Sequence, residues 1–188
     1  MNKHLLDILN RFSSRSVLVV GDLIADEFLY GRIARVSREA PVLVLEYRNL
    51  IRLPGGAANA ANNLLDLGCR VSLAGAVGQD EAGNDLIEIL QSKGADVRAC
   101  RRIRSYGTPV KTRILAGAHH SAPQQVVRVD RVRGHDQAPE VSRKLVERIA
   151  QSADAIIVSD YGYGIIEPRL VAQLSATAHA RKIPIVVD

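Results

Sequence analysis

Four short, mainly apolar runs recur along this 188-residue chain, and each has the length of a β-strand. They lie at residues 17–20, 71–77, 155–158 and 183–187. A strand that is apolar on both faces is typical of a parallel sheet covered by helices. The runs alternate with segments of helical periodicity, which predicts an α/β fold built on a doubly wound, mainly parallel sheet.

The intervening segments supply the helices. Helical spacing of apolar residues predicts helices at 5–12, 57–67, from about 83 to 93, 140–150 and 168–181. The length of the chain fits one domain with a core of its own. The last apolar strand reaches the edge of the sheet as the sequence ends at Asp188, so we expect the C-terminal part of the fold to be missing from these residues.

Two strands interrupt this alternation. Residues 28–33 and 42–47 have strand patterns, but no helix follows either of them, so they predict a small, separate antiparallel layer. Further strands are predicted at 97–102, 109–116 and 125–130.

The composition argues against several classes of function. The net charge of +5 is spread along the chain, and aromatic residues make up only 4% of it, too few for a base-stacking surface, so we expect no nucleic-acid partner. No signal peptide and no segment of membrane length is present, so no membrane contact is expected. Cys69 and Cys100 lack a CxxC spacing, which favours reduced thiols in a cytoplasmic protein. His119 and His120 are adjacent and would point apart in an extended loop, so no metal site is predicted.

The turn Pro54-Gly55-Gly56 opens directly into a helical segment of small residues that contains Asn59. Glycine lets the backbone approach a ligand closely, and the first N–H groups of a helix are free to bind it. Asn59 offers both a donor and an acceptor, which suits the hydroxyl groups of a polyol. The alternative is a helix start that simply packs closely beneath the sheet.

Carboxylates follow two of the apolar strands. Asp22 and Asp26 come after the strand at 17–20, and Asp160 comes after the strand at 155–158. Open α/β proteins bind their ligands at the carboxyl edge of the sheet, where these side chains would lie. All three are candidate ligand-binding residues, with turn formation or helix capping as the alternative for the first two.

Several motifs, in the same order along the chain, resemble the ribokinase or PfkB-type family of carbohydrate kinases. They are Gly21-Asp22-Leu23-Ile24-Ala25-Asp26, residues 54–61, Val77-Gly78-Gln79-Asp80-Glu81-Ala82-Gly83 and Ser159-Asp160-Tyr161-Gly162. Residues 37–42, 111–113 and 124–130 resemble the branch that phosphorylates D-glycero-D-manno-heptose 7-phosphate in ADP-heptose and lipopolysaccharide synthesis. The resemblance covers residues 13–188 and implies a ribokinase-like fold, of which this chain would be the N-terminal portion.

The resemblance implies that eight residues bind a small sugar phosphate: Asp22, Asp26, Gly55, Gly56, Asn59, Lys111, Arg128 and Asp160. Asp26 matches the carboxylate that binds sugar hydroxyls, and Lys111 and Arg128 would bind the phosphate already on the substrate. The alternative for both cations is simple exposure on strands. The strands at 28–47, with parts of 97–130, would form a lid over the sugar, and such lids often pair to make a homodimer.

Members of the family transfer the γ-phosphate of ATP, with Mg²⁺, to a sugar hydroxyl, which in the heptose branch is the anomeric one. Their Gly-Ala-Gly-Asp motif supplies the general base. This sequence does not contain the motif, so we expect the general base beyond Asp188 and no catalytic residue within the chain. The ATP and Mg²⁺ sites would also lie largely outside it. We therefore expect no activity of the chain alone. Tyr163 also replaces the usual lysine, and the hairpin at 116–123 is longer than usual.

Two alternatives stay open. The first is a PfkB-type kinase for another sugar, which Tyr163 and the longer hairpin allow. The second is a non-catalytic module, derived from such a kinase, that binds a sugar phosphate or dimerises. A Rossmann dehydrogenase is disfavoured because no G-x-G-x-x-G follows the first strand.

Overall fold

The computed structural model describes residues 3–117, 122–133 and 141–188. In chain order the elements are α1 (Lys3–Asn10), a 3₁₀ turn (Phe12–Ser14), β1 (Ser16–Gly21), β2 (Leu23–Val36), β3 (Leu43–Gly56), α2 (Ala57–Asp66), β4 (Arg70–Gly78), α3 (Glu81–Ser92), β5 (Asp96–Ile103), β6 (Gly107–Gly117), β7 (Gln124–Arg133), α4 (Arg143–Ala150), β8 (Ala155–Ser159), α5 (Pro168–Arg181) and β9 (Ile185–Val187).

Five strands form a parallel sheet in the order β5-β4-β1-β8-β9, with β1 at its centre. Alternate residues of a strand point to opposite faces, and each face of this sheet carries its own core. Val17 and Val19 belong to the core that α2 and α3 complete, whereas Leu18 and Val20 belong to the core of α4 and α5. Helices therefore cover both faces, and the predicted doubly wound α/β fold is confirmed.

Four strands in the order β3-β2-β6-β7 form a second sheet, which we call the lid. Only Asp22 separates β2 from β1, and β6 follows β5 after a short turn. Because β1 and β5 run in the same direction in the main sheet, β2 and β6 continue in parallel, and the lid is a mixed sheet rather than the predicted antiparallel one.

The lid also differs from the prediction in its extent. Both β2 and β3 have fourteen residues, so they are much longer than the predicted strands at 28–33 and 42–47. Within residues 97–130, β5 pairs with β4 in the main sheet, and only β6 and β7 contribute to the lid.

The predicted helices agree with the structure to within a few residues. Helix α5 has the predicted bounds, and α2 and α3 each end one residue before the predicted end. The helix predicted at 140–150 begins only at Arg143, because Val141 and Ser142, which precede it, are not helical. Residues 134–140 lie outside the described ranges. The same holds for residues 118–121, which include His119, His120 and the centre of the predicted long hairpin. In the part of the chain that the structure describes, no helix has the length and apolarity to span a membrane.

Candidate functional site

The Gly-Gly turn joins the end of β3 to the start of α2, and its two glycines meet different demands. Gly56 has φ +57°, and a Cβ atom there would lie 2.5 Å from the backbone oxygen of Asp22. A Cβ atom on Gly55 would lie 2.6 Å from Oδ2 of Asp26. Gly56 therefore permits the backbone conformation of the turn, whereas Gly55 leaves room for the carboxylate.

The Asp26 carboxylate lies on β2, beside the Gly-Gly turn, and is held by an arginine of β6. Nη1 of Arg113 donates to Oδ1 of Asp26 over 2.5 Å, and the Arg113 guanidinium lies 5.3 Å from the centre of the Phe28 ring. The prediction did not include Arg113, although the spacing of Lys111 and Arg113 contains the signal. Residues two apart on a strand share a face, so a substrate that contacts Lys111 would also lie within reach of Arg113.

A cavity of about 410 Å³ brings Asp26 and Asn59 together. Its lining residues are Asp26, Phe28, Leu53, Pro54, Asn59, Asn62, Ile89 and Lys93. A carboxylate, two side-chain amides and an apolar wall combine acceptors, donors and a surface for ring carbons. We call this space the sugar cavity, after the polyol that its combination of groups would suit.

Cations of β6 and β7 lie on the same face of the lid as Asp26. Lys111 is the register partner of Asp26 on one side and of Asp130 on the other. Arg113 and Arg128 are also register partners, so two guanidinium groups leave neighbouring positions of adjacent strands. Nε of Arg128 contacts Oδ1 of Asp130 at 2.9 Å. The structure therefore brings Lys111 and Arg128 onto one face, as predicted, and adds Arg113 to them.

The loop between β8 and α5, residues 160–167, faces this group of cations. Nζ of Lys111 lies 4.9 Å from the centre of the Tyr161 ring. Burial raises the pKa of the half-buried Tyr163, the charges of Asp130 and Asp22 raise it further, and Arg128 opposes them. The tyrosine that replaces the expected lysine thus lies near the Arg128–Asp130 pair.

Asp160 lies at the carboxyl end of β8, as predicted, and its side chain is exposed. Its Oδ1 accepts from the N–H of Gly162 over 2.9 Å, and its own N–H donates to the backbone oxygen of Asp188 over 2.8 Å. Asp160 thus contacts its own loop and the end of β9, at the carboxyl edge of the main sheet.

The structure does not place Asp22 in the sugar cavity. Its side chain is fully buried, and its carboxylate accepts from the backbone N–H groups of Tyr161, Tyr163 and Ile165. Burial raises the pKa of Asp22, while these hydrogen bonds act in the opposite direction. A carboxylate without exposed surface cannot contact a sugar hydroxyl, so the alternative of turn formation describes this residue better than the predicted sugar contact.

The opposite face of the lid carries a buried ion network. Glu27 accepts from Oγ1 of Thr112 over 2.7 Å, from Nη2 of Arg131 over 2.8 Å and from Nη2 of Arg52 over 2.8 Å. Arg52 also bonds to Asp85 of α3, so the network connects the lid to the main body. Glu27 and Asp26 are adjacent in sequence and serve opposite faces of β2.

This architecture, a doubly wound sheet with a β lid that rises from the carboxyl ends of two of its strands, defines the ribokinase-like class of folds. Among solved structures, an Arabidopsis thaliana ribokinase complexed with ribose and ATP superposes with a TM-score of 0.65 at 16% identity. The superposition covers 93% of this chain and 53% of that one.

The sequence comparison identifies the family. Residues 14–188 match the model described as pfkB family carbohydrate kinase, and the chain belongs to this family. The bifunctional protein HldE of Geobacter sulfurreducens is 44% identical over 177 residues, which are 92% of this chain and 35% of that protein. HldE of Trichlorobacter lovleyi is 40% identical over 185 residues, 96% of this chain and 36% of that protein. The chain thus spans little more than a third of the length of these relatives.

Proposed function

We propose that this chain forms the sugar-binding part of an ATP-dependent kinase for D-glycero-D-manno-heptose 7-phosphate, with the anomeric hydroxyl as acceptor. The similarity to HldE and the family match support a carbohydrate kinase. ATP would be the phosphate donor, as the ATP bound in the Arabidopsis ribokinase structure suggests. A reaction that consumes ATP would take place in the cytoplasm.

One observation carries the preference for a phosphorylated sugar. Arg113 and Arg128 are directly opposed on neighbouring strands, and Lys111 lies on the same face. Like charges in opposed positions destabilise a sheet, so anions near the two arginines would stabilise this arrangement. Asp26 and Asp130 supply two negative charges to three cations, which leaves one positive charge to attract the phosphate group of a substrate.

The other end of the substrate would lie in the sugar cavity. Asp26 would accept hydrogen bonds from sugar hydroxyls, and Asn59 would donate and accept at the first turn of α2. Arg113 bridges the two ends, because it bonds to Asp26 and is the register partner of Arg128. Rigid placement of the substrate is the contribution to phosphoryl transfer that these residues can make.

The family implies ATP and Mg²⁺ for the complete enzyme. Among the described residues, no group of three or more His, Cys, Asp or Glu side chains is arranged to hold a metal ion. Substrate binding would therefore fall to these 188 residues, and phosphoryl transfer would fall to the Gly-Ala-Gly-Asp motif of the family.

Calorimetric titration of the purified chain tests this proposal. We expect heptose 7-phosphate to bind more tightly than unphosphorylated heptose, fructose 6-phosphate or ribose, without ATP-dependent turnover. Arg128→Gln should weaken binding of the phosphorylated heptose by about ten- to a hundredfold, because one charge-assisted contact contributes about 1.5–3 kcal/mol. The matched control is Arg98→Gln, which removes an exposed arginine paired with Asp96 far from the lid. Tighter binding of another sugar phosphate would contradict the heptose assignment, and turnover by this chain would contradict the division of roles.

We further propose that the lid pairs two chains into a homodimer. Strand β7 is exposed along all ten of its residues, and the apolar side chains at the far end of the lid are also exposed. Val36 and Leu43, which are register partners there, are 59% and 46% exposed.

A further inference from the structure

Asp22 connects three segments of the candidate site. Its N–H donates to the backbone oxygen of Ser159 over 3.1 Å, and its backbone oxygen accepts from the N–H of Ala57 over 3.0 Å. Its carboxylate accepts from three further N–H groups, all in the loop after β8. One residue therefore joins the end of β1, the start of α2 and the loop that faces the lid cations.

The loop after β8 has no regular secondary structure, and its shape depends on this carboxylate. The N–H groups of Tyr161, Tyr163 and Ile165 lie 2.8, 3.1 and 3.4 Å from the Asp22 oxygens. These are alternate residues, and the intervening Gly162 and Gly164 both have positive φ, a conformation that glycine adopts without strain. A carboxylate suits this position because its two oxygens only accept, and the three converging groups only donate.

The same loop supports one of the cations proposed to bind phosphate. The Tyr161 ring is about half exposed and lies against the ammonium group of Lys111. A lysine side chain is a flexible stem with a compact charge, so an aromatic face that holds the ammonium reduces the freedom it loses when a phosphate binds. The position of the ring follows from the position of the loop, and the loop is held by Asp22.

We infer that Asp22 is a positioning residue for the phosphate end of the site: through the loop after β8, it holds the Tyr161 ring against Lys111. Tyr161 is thereby a determinant of the preference for a phosphorylated sugar, although it carries no charge. The inference rests on the proposed function, because it assigns to Asp22 and Tyr161 a selectivity that the proposed substrate requires.

The test measures a ratio, namely the affinity for heptose 7-phosphate divided by the affinity for heptose. Tyr161→Ala removes the ring and should lower this ratio about three- to fivefold, whereas Tyr161→Phe keeps the ring and should leave it unchanged. In a Lys111→Met background, Tyr161→Ala should have no effect on the ratio, since the ammonium is already absent. A purely structural role of Tyr161 would change both affinities together and would not depend on Lys111.

Substitutions at Asp22 test the other half of the inference. Asp22→Ala removes the acceptor of all three N–H groups and should lower the ratio as Tyr161→Ala does. Asp22→Asn should restore it, because an amide oxygen in the place of Oδ2 still accepts from Tyr161 and Tyr163. If Asp22→Ala does not fold, Asp22→Ser replaces it, because the shorter side chain cannot accept from all three N–H groups, and the same fall in the ratio is expected. An unchanged ratio in a folded Asp22→Ala or Asp22→Ser variant overturns the role of Asp22.

The outcomes separate the inference from the proposed function. If the unaltered chain binds neither sugar, or binds both equally, the proposed function fails and the inference fails with it. If the chain prefers the phosphate and Tyr161→Ala keeps that preference, the inference is overturned while the proposed function stands. An effect of Tyr161→Ala that persists in the Lys111→Met background also overturns it.

Discussion

At the scale of single residues, the two glycines of the turn predict different outcomes for the same substitution. Gly55→Ala places a methyl group against the Asp26 carboxylate, which must shift from the position in which it bonds to Arg113. We expect a stability loss of about 1–3 kcal/mol from overpacking, and sugar-phosphate affinity reduced about tenfold or more. Urea unfolding and calorimetric titration measure the two effects.

Gly56→Ala is the matched comparison for this prediction. It strains a backbone with positive φ and meets a backbone oxygen that cannot move independently, so its cost falls mainly on stability. Gly55→Ala should therefore be the more stable of the two variants. An unchanged affinity in Gly55→Ala would show that the Asp26 carboxylate does not need the space above Gly55.

Single residues also show how far the site could be predicted from the sequence. Asp26 and Asn59 meet in one cavity, and Lys111 and Arg128 share one face, because strand and helix periodicity determine which way these side chains point. Asp22 could not be assigned in this way. Its place at the carboxyl edge was predictable, but its burial depends on a loop about 140 residues away in sequence. Local patterns contain no information about such a contact.

At the scale of elements, the adjacent acids Asp26 and Glu27 of β2 lie on opposite faces of the lid. The buried Glu27 gives a pH-dependent prediction. Burial would raise the pKa of Glu27, but hydrogen bonds from Thr112 and Arg52, with the charge of Arg131, outweigh burial, and the pKa is lowered. Because the folded pKa lies below the ordinary value of 4.5, Glu27 stabilises the fold above pH 4.5. That contribution is lost as the pH falls through the lower, folded value.

Glu27→Gln tests this linkage. At pH 7 the variant should lose about 1–3 kcal/mol of unfolding free energy, since the charge that Arg52 and Arg131 contact is removed. The difference from the unaltered chain should shrink on acidification, because a protonated glutamate resembles glutamine. Urea unfolding between pH 7 and pH 3 measures both effects. Glu46→Gln, at an exposed ion pair of the same sheet, should change stability by less than about 0.5 kcal/mol. A difference that is constant with pH would contradict the assignment.

The elements of the main sheet could be predicted from the sequence, whereas those of the lid could be predicted only in part. Buried strands such as β1 are apolar on both faces, so each appears in the sequence as a continuous apolar run. Most of β3 and all of β7 are exposed, so their ends carry no buried apolar residues, and the alternation at 125–130 predicts only the middle of β7. The parallel pairing of β2 with β6 joins segments about 85 residues apart, which no local pattern reveals.

At the scale of the whole molecule, the two sheets differ in what stabilises them. The main sheet lies between two apolar cores, one on each face. Only the base of the lid takes part in such a core, through Leu23, Ala25 and Val110. Further out, Arg52 of β3 connects the lid to the main body by its bond to Asp85 of α3. Several of its large apolar side chains are left exposed, among them Val36, Leu43 and Tyr47. A surface of this kind is typical of sheets that associate with another chain.

Dimerisation through the lid therefore predicts that its apolar end controls the oligomeric state. Sedimentation of the unaltered chain should give about twice the 20.4 kDa mass of one chain at micromolar concentration. The double variant Val36→Asp and Leu43→Asp should give the mass of a single chain, because a pair of carboxylates at register partners would be buried without counterions. The control is Leu5→Asp, which changes an equally exposed leucine on α1, where an acid near the helix start is tolerated. It should leave the dimer intact. A single-chain mass for the unaltered protein would refute the proposal, and a dimer that survives the double variant would place the contact on a different surface of the molecule.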